Sequence, residues 1–123
     1  MPNLNTVEIK AFLPAKDFDK SKQFYEHIGF IKASDSDGVA YFRHGNCSFL
    51  LQDFYVKEFA ENLVIHLLVE DIKSWHTQVR DSGIEHKFKV KVSDITKQPW
   101  GMLDFHVHDP SGVLWRFGQN TPA

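Results

Sequence analysis

The chain has 123 residues, 42% apolar, 24% charged and 14% aromatic, with eleven phenylalanines, a length that supports one domain with its own core over residues 1–123. Fourteen Lys and Arg against sixteen Asp and Glu leave a formal charge of −2, and no basic stripe interleaved with aromatics appears, so nucleic acid is not an expected partner. A single cysteine excludes an intrachain disulfide, no stretch approaches the roughly 20 apolar residues that span a bilayer, and residues 1–10 lack a charged segment followed by an apolar run; a cytoplasmic protein without a membrane partner is expected.

In chain order, residues 7–13 form an apolar-alternating strand that leads to Asp17, whose carboxylate can cap a helix. Phe18, Phe24, Tyr25 and Ile28 then recur at helical spacing, and Gly29 stands where a left-handed residue closes the helix. Short β-like runs follow over residues 30–33, 39–43 and 47–54, separated by Ser36-Asp37-Gly38 and Gly45-Asn46. The layout then repeats at a constant offset. A strand over residues 63–69 leads to Asp71, Ile72, Trp75 and Val79 carry the helical period, Gly83 closes it, and β-like runs cover residues 87–92, 103–108 and 113–117 around the Asp109-Pro110-Ser111-Gly112 turn. The expected fold is α+β, two tandem βαβββ modules (residues 5–56 and 61–119) forming a curved sheet around a cavity. The competing layout is a ferredoxin-like sandwich in which the two halves match by coincidence.

Because successive strand residues point to opposite faces, the same pattern sorts the side chains. Ile9, Ala11 and Leu13, then Leu63, Ile65, Leu67 and Val69, pack under the helices, as do Phe49, Leu51, Leu103, Phe105, Val107, Val113, Trp115 and Phe117. Cys47 shares that parity and reads as a small core residue. The open side receives Glu8, Lys10, Phe12, Ser48, Leu50, Gln52, Phe54, Val64, His66, Leu68, Asp104, His106, His108, Leu114 and Arg116. Apolar walls with a few convergent polar groups are how ligand pockets are furnished. An exposed sheet face is the alternative reading of the same residues. A curved sheet with this much apolar surface on its open side also calls for a partner, and a homodimer is expected.

Residues 14–25, Gly29-Phe30 and Asp109-Pro110-Ser111-Gly112-Val113-Leu114-Trp115-Arg116 resemble the strand-to-helix entry and the last hairpin of the vicinal oxygen chelate superfamily, which holds glyoxalase I, extradiol dioxygenases and bleomycin-resistance proteins. The superfamily's metal enzymes take one ligand from each of four strands. Counted from the shared motifs, those positions hold Lys10, Val64 and Arg116, with the fourth near Leu50, and none is a good metal ligand. The resemblance is therefore to the metal-free bleomycin-resistance branch, supported by Gln98-Pro99-Trp100-Gly101, by residues 52–56 and 60–62, and by the ending Arg116-Phe117-Gly118-Gln119-Asn120. It implies a homodimer that sequesters a bleomycin-like or other aromatic antibiotic at the subunit interface, without a cofactor or catalysis. Trp100, Phe12, Phe54 and Phe59 would be its stacking surfaces; core packing is the other reading of Phe54 and Phe59.

The ligand-binding set is thus Phe12, Leu50, Gln52, Phe54, His66, Trp100, Asp104, His106 and Arg116. One departure is charge: that branch favours cationic ligands and strongly acidic proteins, whereas here Lys10 and Arg116 oppose Glu8 and Asp104. The alternative is a metal-dependent lyase, isomerase or dioxygenase with a displaced site made of His66, His106 and His108. A scaffold without a ligand is a third reading. Ligand identity, and whether the modules pair within a chain or across a dimer, are open at this level.

Overall fold

The computed structural model describes residues 2–122. Its first unit is β1 (Phe12–Pro14), α1 (Phe18–Ile28), β2 (Ile31–Ser36), β3 (Val39–His44) and β4 (Cys47–Gln52); after α2 (Lys57–Asn62) come β5 (Val64–Leu68), α3 (Ile72–Asp81), α4 (Ile84–Phe88), β6 (Thr96–Gln98), β7 (Met102–His108) and β8 (Leu114–Asn120). The sheets run β1-β4-β3-β2 and β5-β8-β7-β6, and in each the first strand lies parallel to the last. Parallel pairing requires a long crossover, which the helix and the intervening hairpins supply. This is the α+β architecture of two tandem βαβββ modules.

Local chemistry sets the helix starts and the hairpins. Asp17 and Asp71 accept from the backbone N–H of Lys20 and Ser74 at 3.1 and 3.2 Å, capping α1 and α3. Asp37 and Gly38, at φ of 54° and 79°, make the tight turn between β2 and β3, where two positive φ values match the twist of the flanking strands.

Both modules share one core. Phe24, Tyr25 and Ile28 of α1 and Ile72 and Val79 of α3 are buried with the inner residues Phe42, Phe49 and Leu51 of the first sheet and Phe105, Val107, Trp115 and Phe117 of the second. The rings of Phe49 and Trp115 meet at 5.3 Å. A buried polar chain crosses the same junction: Trp115 Nε1 donates to the Tyr25 hydroxyl at 2.9 Å, and that hydroxyl donates to Asp109. The other Asp109 oxygen accepts from the N–H groups of Ser111 and Val113 at 2.8 and 3.0 Å. The Asp109 turn therefore ties the second module's hairpin to the first module's helix.

Burial pushes the Asp109 carboxyl above the usual range, against the lowering effect of its hydrogen bonds from Tyr25 and the backbone. A carboxyl whose folded value exceeds its unfolded one supports folding at low pH and loses that contribution as pH rises through the folded value. Asp109→Asn retains an acceptor oxygen but no ionisation. Thermal melts from about pH 4 to 7 should show its Tm improving relative to the native chain as pH rises; parallel Tm profiles would mean that Asp109 is solvated.

The fold departs from the sequence reading at four places. The first strand is shorter than residues 7–13: it begins at Phe12, and Val7 and Ile9 are 98% and 95% exposed. Among the described residues no element covers Val7 or Ile9, so Ile9 and the exposed Ala11 do not pack under α1, whereas Leu13 is fully buried. Residues 87–92 are not a strand. Ile84 and Phe88, one helical turn apart, are both buried, and Phe88 meets Phe24 edge-on at 5.5 Å; this contact outweighs the alternation of Phe88, Val90 and Val92, and the sixth strand forms later, at Thr96–Gln98. The segment between modules contains the unanticipated α2, anchored by buried Ala60. Cys47 is exposed, because it opens β4 beyond the reach of the core that buries Phe49.

Candidate functional site

The inner residues of both sheets enter the shared core, so the alternating side chains look away from it. On the second sheet this open face carries Val64, His66 and Leu68 from β5, Leu114 and Arg116 from β8, and Asp104, His106 and His108 from β7. Register places His66 opposite Arg116, and Arg116 opposite His106. Val64 and Leu68 are about half exposed. Asp104 is only 5% exposed: Gln98 Nε2 donates to it at 2.9 Å, and Arg116 Nη1 stands 3.9 Å from its other oxygen. A ligand would meet Arg116 and Gln98 before this carboxylate. Burial, followed by the neighbouring Arg116 and His108, holds His106 below the usual imidazole range.

Trp100 occupies the β6–β7 turn, 67% exposed, between Gln98 and a left-handed Gly101 whose N–H donates to Gln98 O at 3.2 Å. Two residues that alternation did not single out complete this face. Gly118 lies opposite both Leu68 and Asp104, and a Cβ there would sit 2.7 Å from Met102 Sδ and 2.8 Å from His66 Nε2. The glycine makes a dip in which Met102 and His66 meet at 3.4 Å. A glycine inside a strand is the sequence sign of such a close approach.

The first sheet's open face aligns Phe12 with Leu50 and Leu50 with Tyr41, and Gln52 with Pro14 and Val39. Phe12 is 49% exposed, and Phe54 and Phe59 are nearly as open, so neither Phe54 nor Phe59 is plain core. Phe54 is held just past β4 by Ala15 N–H, which donates to Gln52 O at 2.9 Å and Phe54 O at 3.0 Å. Glu8 reaches this face from the arm. Its carboxylate accepts from Lys10 Nζ at 2.6 Å, Ser48 Oγ at 2.6 Å and Tyr41 OH at 2.9 Å, and these hydrogen bonds, Lys10 first, hold its pKa down at about 2.

The nine candidate residues thus fall into two groups: Phe12, Leu50, Gln52 and Phe54 on one face, and His66, Asp104, His106 and Arg116, with the Trp100 turn, on the other. The superfamily's divalent ion does not fit here. Lys10 Nζ is bonded to Glu8, Val64 and Leu50 offer no donor atom, and Arg116 brings a fixed cation to the remaining position. The displaced histidine set does not converge either. Arg116 stands between His66 and His106 in register, the His106 and His108 rings lie 6.4 Å apart, and no group of three or more His, Cys, Asp or Glu among the described residues is arranged to hold a metal.

Residues 4–117 match the model of the Glyoxalase/Bleomycin resistance protein/Dioxygenase superfamily. A bleomycin resistance protein of Klebsiella pneumoniae is 26% identical over 114 residues, covering 88% of each chain. Among solved structures, a bleomycin-binding protein complexed with bleomycin superposes with a TM-score of 0.79 at 24% identity, covering 94% of this chain and 99% of that one. The bleomycin-binding protein of Streptomyces verticillus complexed with copper(II)-bleomycin gives 0.77 at 18% identity, covering 98% and 100%. A lactoylglutathione lyase from Agrobacterium tumefaciens gives 0.66 at 17% identity, covering 94% and 95%. With a match over nearly the whole chain and the βαβββ pair in place, the protein belongs to the Glyoxalase/Bleomycin resistance protein/Dioxygenase superfamily.

Proposed function

We propose that the protein binds a planar, partly aromatic antibiotic, bleomycin-like in type, and sequesters it unchanged in a cleft lined by its open sheet faces. One observation carries this reading: Phe12, Val64 and Leu68 are about half exposed, and Trp100 more so, on or beside open faces whose rims are polar. Large exposed apolar surface of this kind marks a binding site. The kinship with bleomycin resistance and bleomycin-binding proteins gives the ligand type, and the side chains at the superfamily's metal positions favour binding over metal-assisted chemistry.

The cleft is completed by a second copy of the chain. Supporting this is the arm over residues 2–11, which presents Leu4, Val7 and Ile9 to solvent almost fully and would be covered in a homodimer. No helix is long and apolar enough to cross a membrane among the described residues.

Titrating bleomycin by calorimetry and tryptophan fluorescence tests the reading. Trp115 is buried and Trp75 half-buried, whereas Trp100 is open, so quenching would report mainly on the Trp100 turn. Trp100→Ala should weaken binding by roughly 1–3 kcal/mol, the range for losing an aromatic anchor, with an unchanged melting profile. If a broad panel of aromatic natural products binds neither protein, or binds both equally, the proposed cleft is wrong.

A further inference from the structure

The open face of the second sheet is basic along a single line. His66, Arg116 and His106 form one register row across β5, β8 and β7. The row continues into the segment between α4 and β6, because Ser93 N–H donates to His106 O at 3.0 Å and His106 N–H donates to Ser93 Oγ at 2.8 Å. With neighbouring strands about 4.8 Å apart, it spans roughly 14 Å. At its far end a concavity of about 500 Å³ is lined by Lys89, Val90, Lys91, Ser93, His106 and His108. Four of these six side chains are basic, and none is a carboxylate.

Two further observations favour a built site over a chance patch. Lys89, at φ of +57°, is the left-handed cap that ends α4, so the turn out of the helix fixes where Lys89 and Lys91 enter the concavity. The carboxylate of Asp104 on this face is buried, bonded to Gln98 and only loosely paired with Arg116 at 3.9 Å. Arg116, with 41% of its side chain exposed, therefore keeps donor capacity toward a ligand.

We propose that this face takes an anion: the acidic group of an aromatic carboxylate or sulfonate, held between Arg116, His106 and the Lys89–Lys91 end, with the ring over Val64 and Leu114, which flank the row on the His108 side. An aromatic cation in the same place would confront Arg116, Lys89 and Lys91, while the Asp104 carboxylate is buried and already engaged by Gln98. The inference rests on the reading that the open faces bind an aromatic ligand, and it adds an acidic group that this face accepts.

The test is a pair of probes with the same ring and opposite charge, 2-naphthoate and 2-naphthylmethylammonium, titrated into the full chain and followed by amide chemical shifts. The carboxylate should bind at least about tenfold more tightly, a difference of about 1.4 kcal/mol, and should move the amides of Ser93, His106 and Arg116. Added salt should weaken it selectively. Arg116→Gln should abolish the preference, and so, separately, should Lys89→Asn with Lys91→Gln, in which asparagine tolerates the left-handed backbone. Equal affinities, a preference for the ammonium probe, no binding of either, or shifts confined to other residues would overturn the inference. If bleomycin binds but the carboxylate preference is missing, only the anion site is lost. If the carboxylate binds through Arg116 and bleomycin does not bind, the anion site stands and the antibiotic reading falls.

Discussion

Trp115→Ala is expected to lower the unfolding free energy by about 3–5 kcal/mol, the usual range for removing a buried tryptophan, and to leave the protein marginal against a typical total of about 5–15 kcal/mol. The position explains the size. Trp115 belongs to the second module, yet its ring packs on Tyr25, Phe30 and Phe49 of the first, at 5.3 to 5.5 Å, and its N–H donates to the Tyr25 hydroxyl. Removing it opens a cavity at the junction and strips a donor from the buried Tyr25–Asp109 pair. Trp115→Phe, which keeps a ring but not the donor, should cost clearly less. Urea unfolding of both variants is the measurement, and a loss below about 1 kcal/mol for the alanine variant would show that the modules do not depend on this contact.

In the proposed homodimer, deleting residues 2–10 is expected to weaken self-association at least about a hundredfold, or roughly 2.7 kcal/mol. Fully burying an aliphatic side chain contributes about 1.5–3 kcal/mol before the entropy of ordering is subtracted, and the arm presents Leu4, Val7 and Ile9. The fold should survive, since β1 begins at Phe12. Glu8→Gln separates the contributions: it weakens the tether to Lys10, Ser48 and Tyr41 and keeps the aliphatic side chains. Sedimentation velocity at micromolar concentration decides. A monomeric native chain, or a truncated chain that stays dimeric, would remove the arm from the interface.

What is encoded within a few residues was readable without coordinates. The caps Asp17 and Asp71, the helical period of Phe24, Tyr25 and Ile28 and the turn at Asp37-Gly38 all appear as expected, because each depends on backbone geometry and nearest neighbours. Alternation likewise placed His66, Arg116 and His106 on one face and Trp115 and Phe117 on the other. A strand's period of two leaves little choice once one member is buried.

Contacts between distant segments decided the rest. Residues 87–92 alternate like a strand, but the surface offered by Phe24 rewards a helical pairing of Ile84 with Phe88. Ile9 has the chemistry of a core residue and stays exposed because no element among the described residues lies over it. Asp104 reads as an open-face carboxylate and is instead covered by Gln98 from the paired strand, and Gly118 signals a close approach without telling that Met102 and His66 are what meet above it. The sequence by itself therefore determined the duplicated βαβββ plan and the faces of most residues of β4, β5, β7 and β8, since periodicity and capping are local. Only the tertiary structure decided which side chains are covered, because burial belongs to the surfaces that meet and not to the residue that carries them.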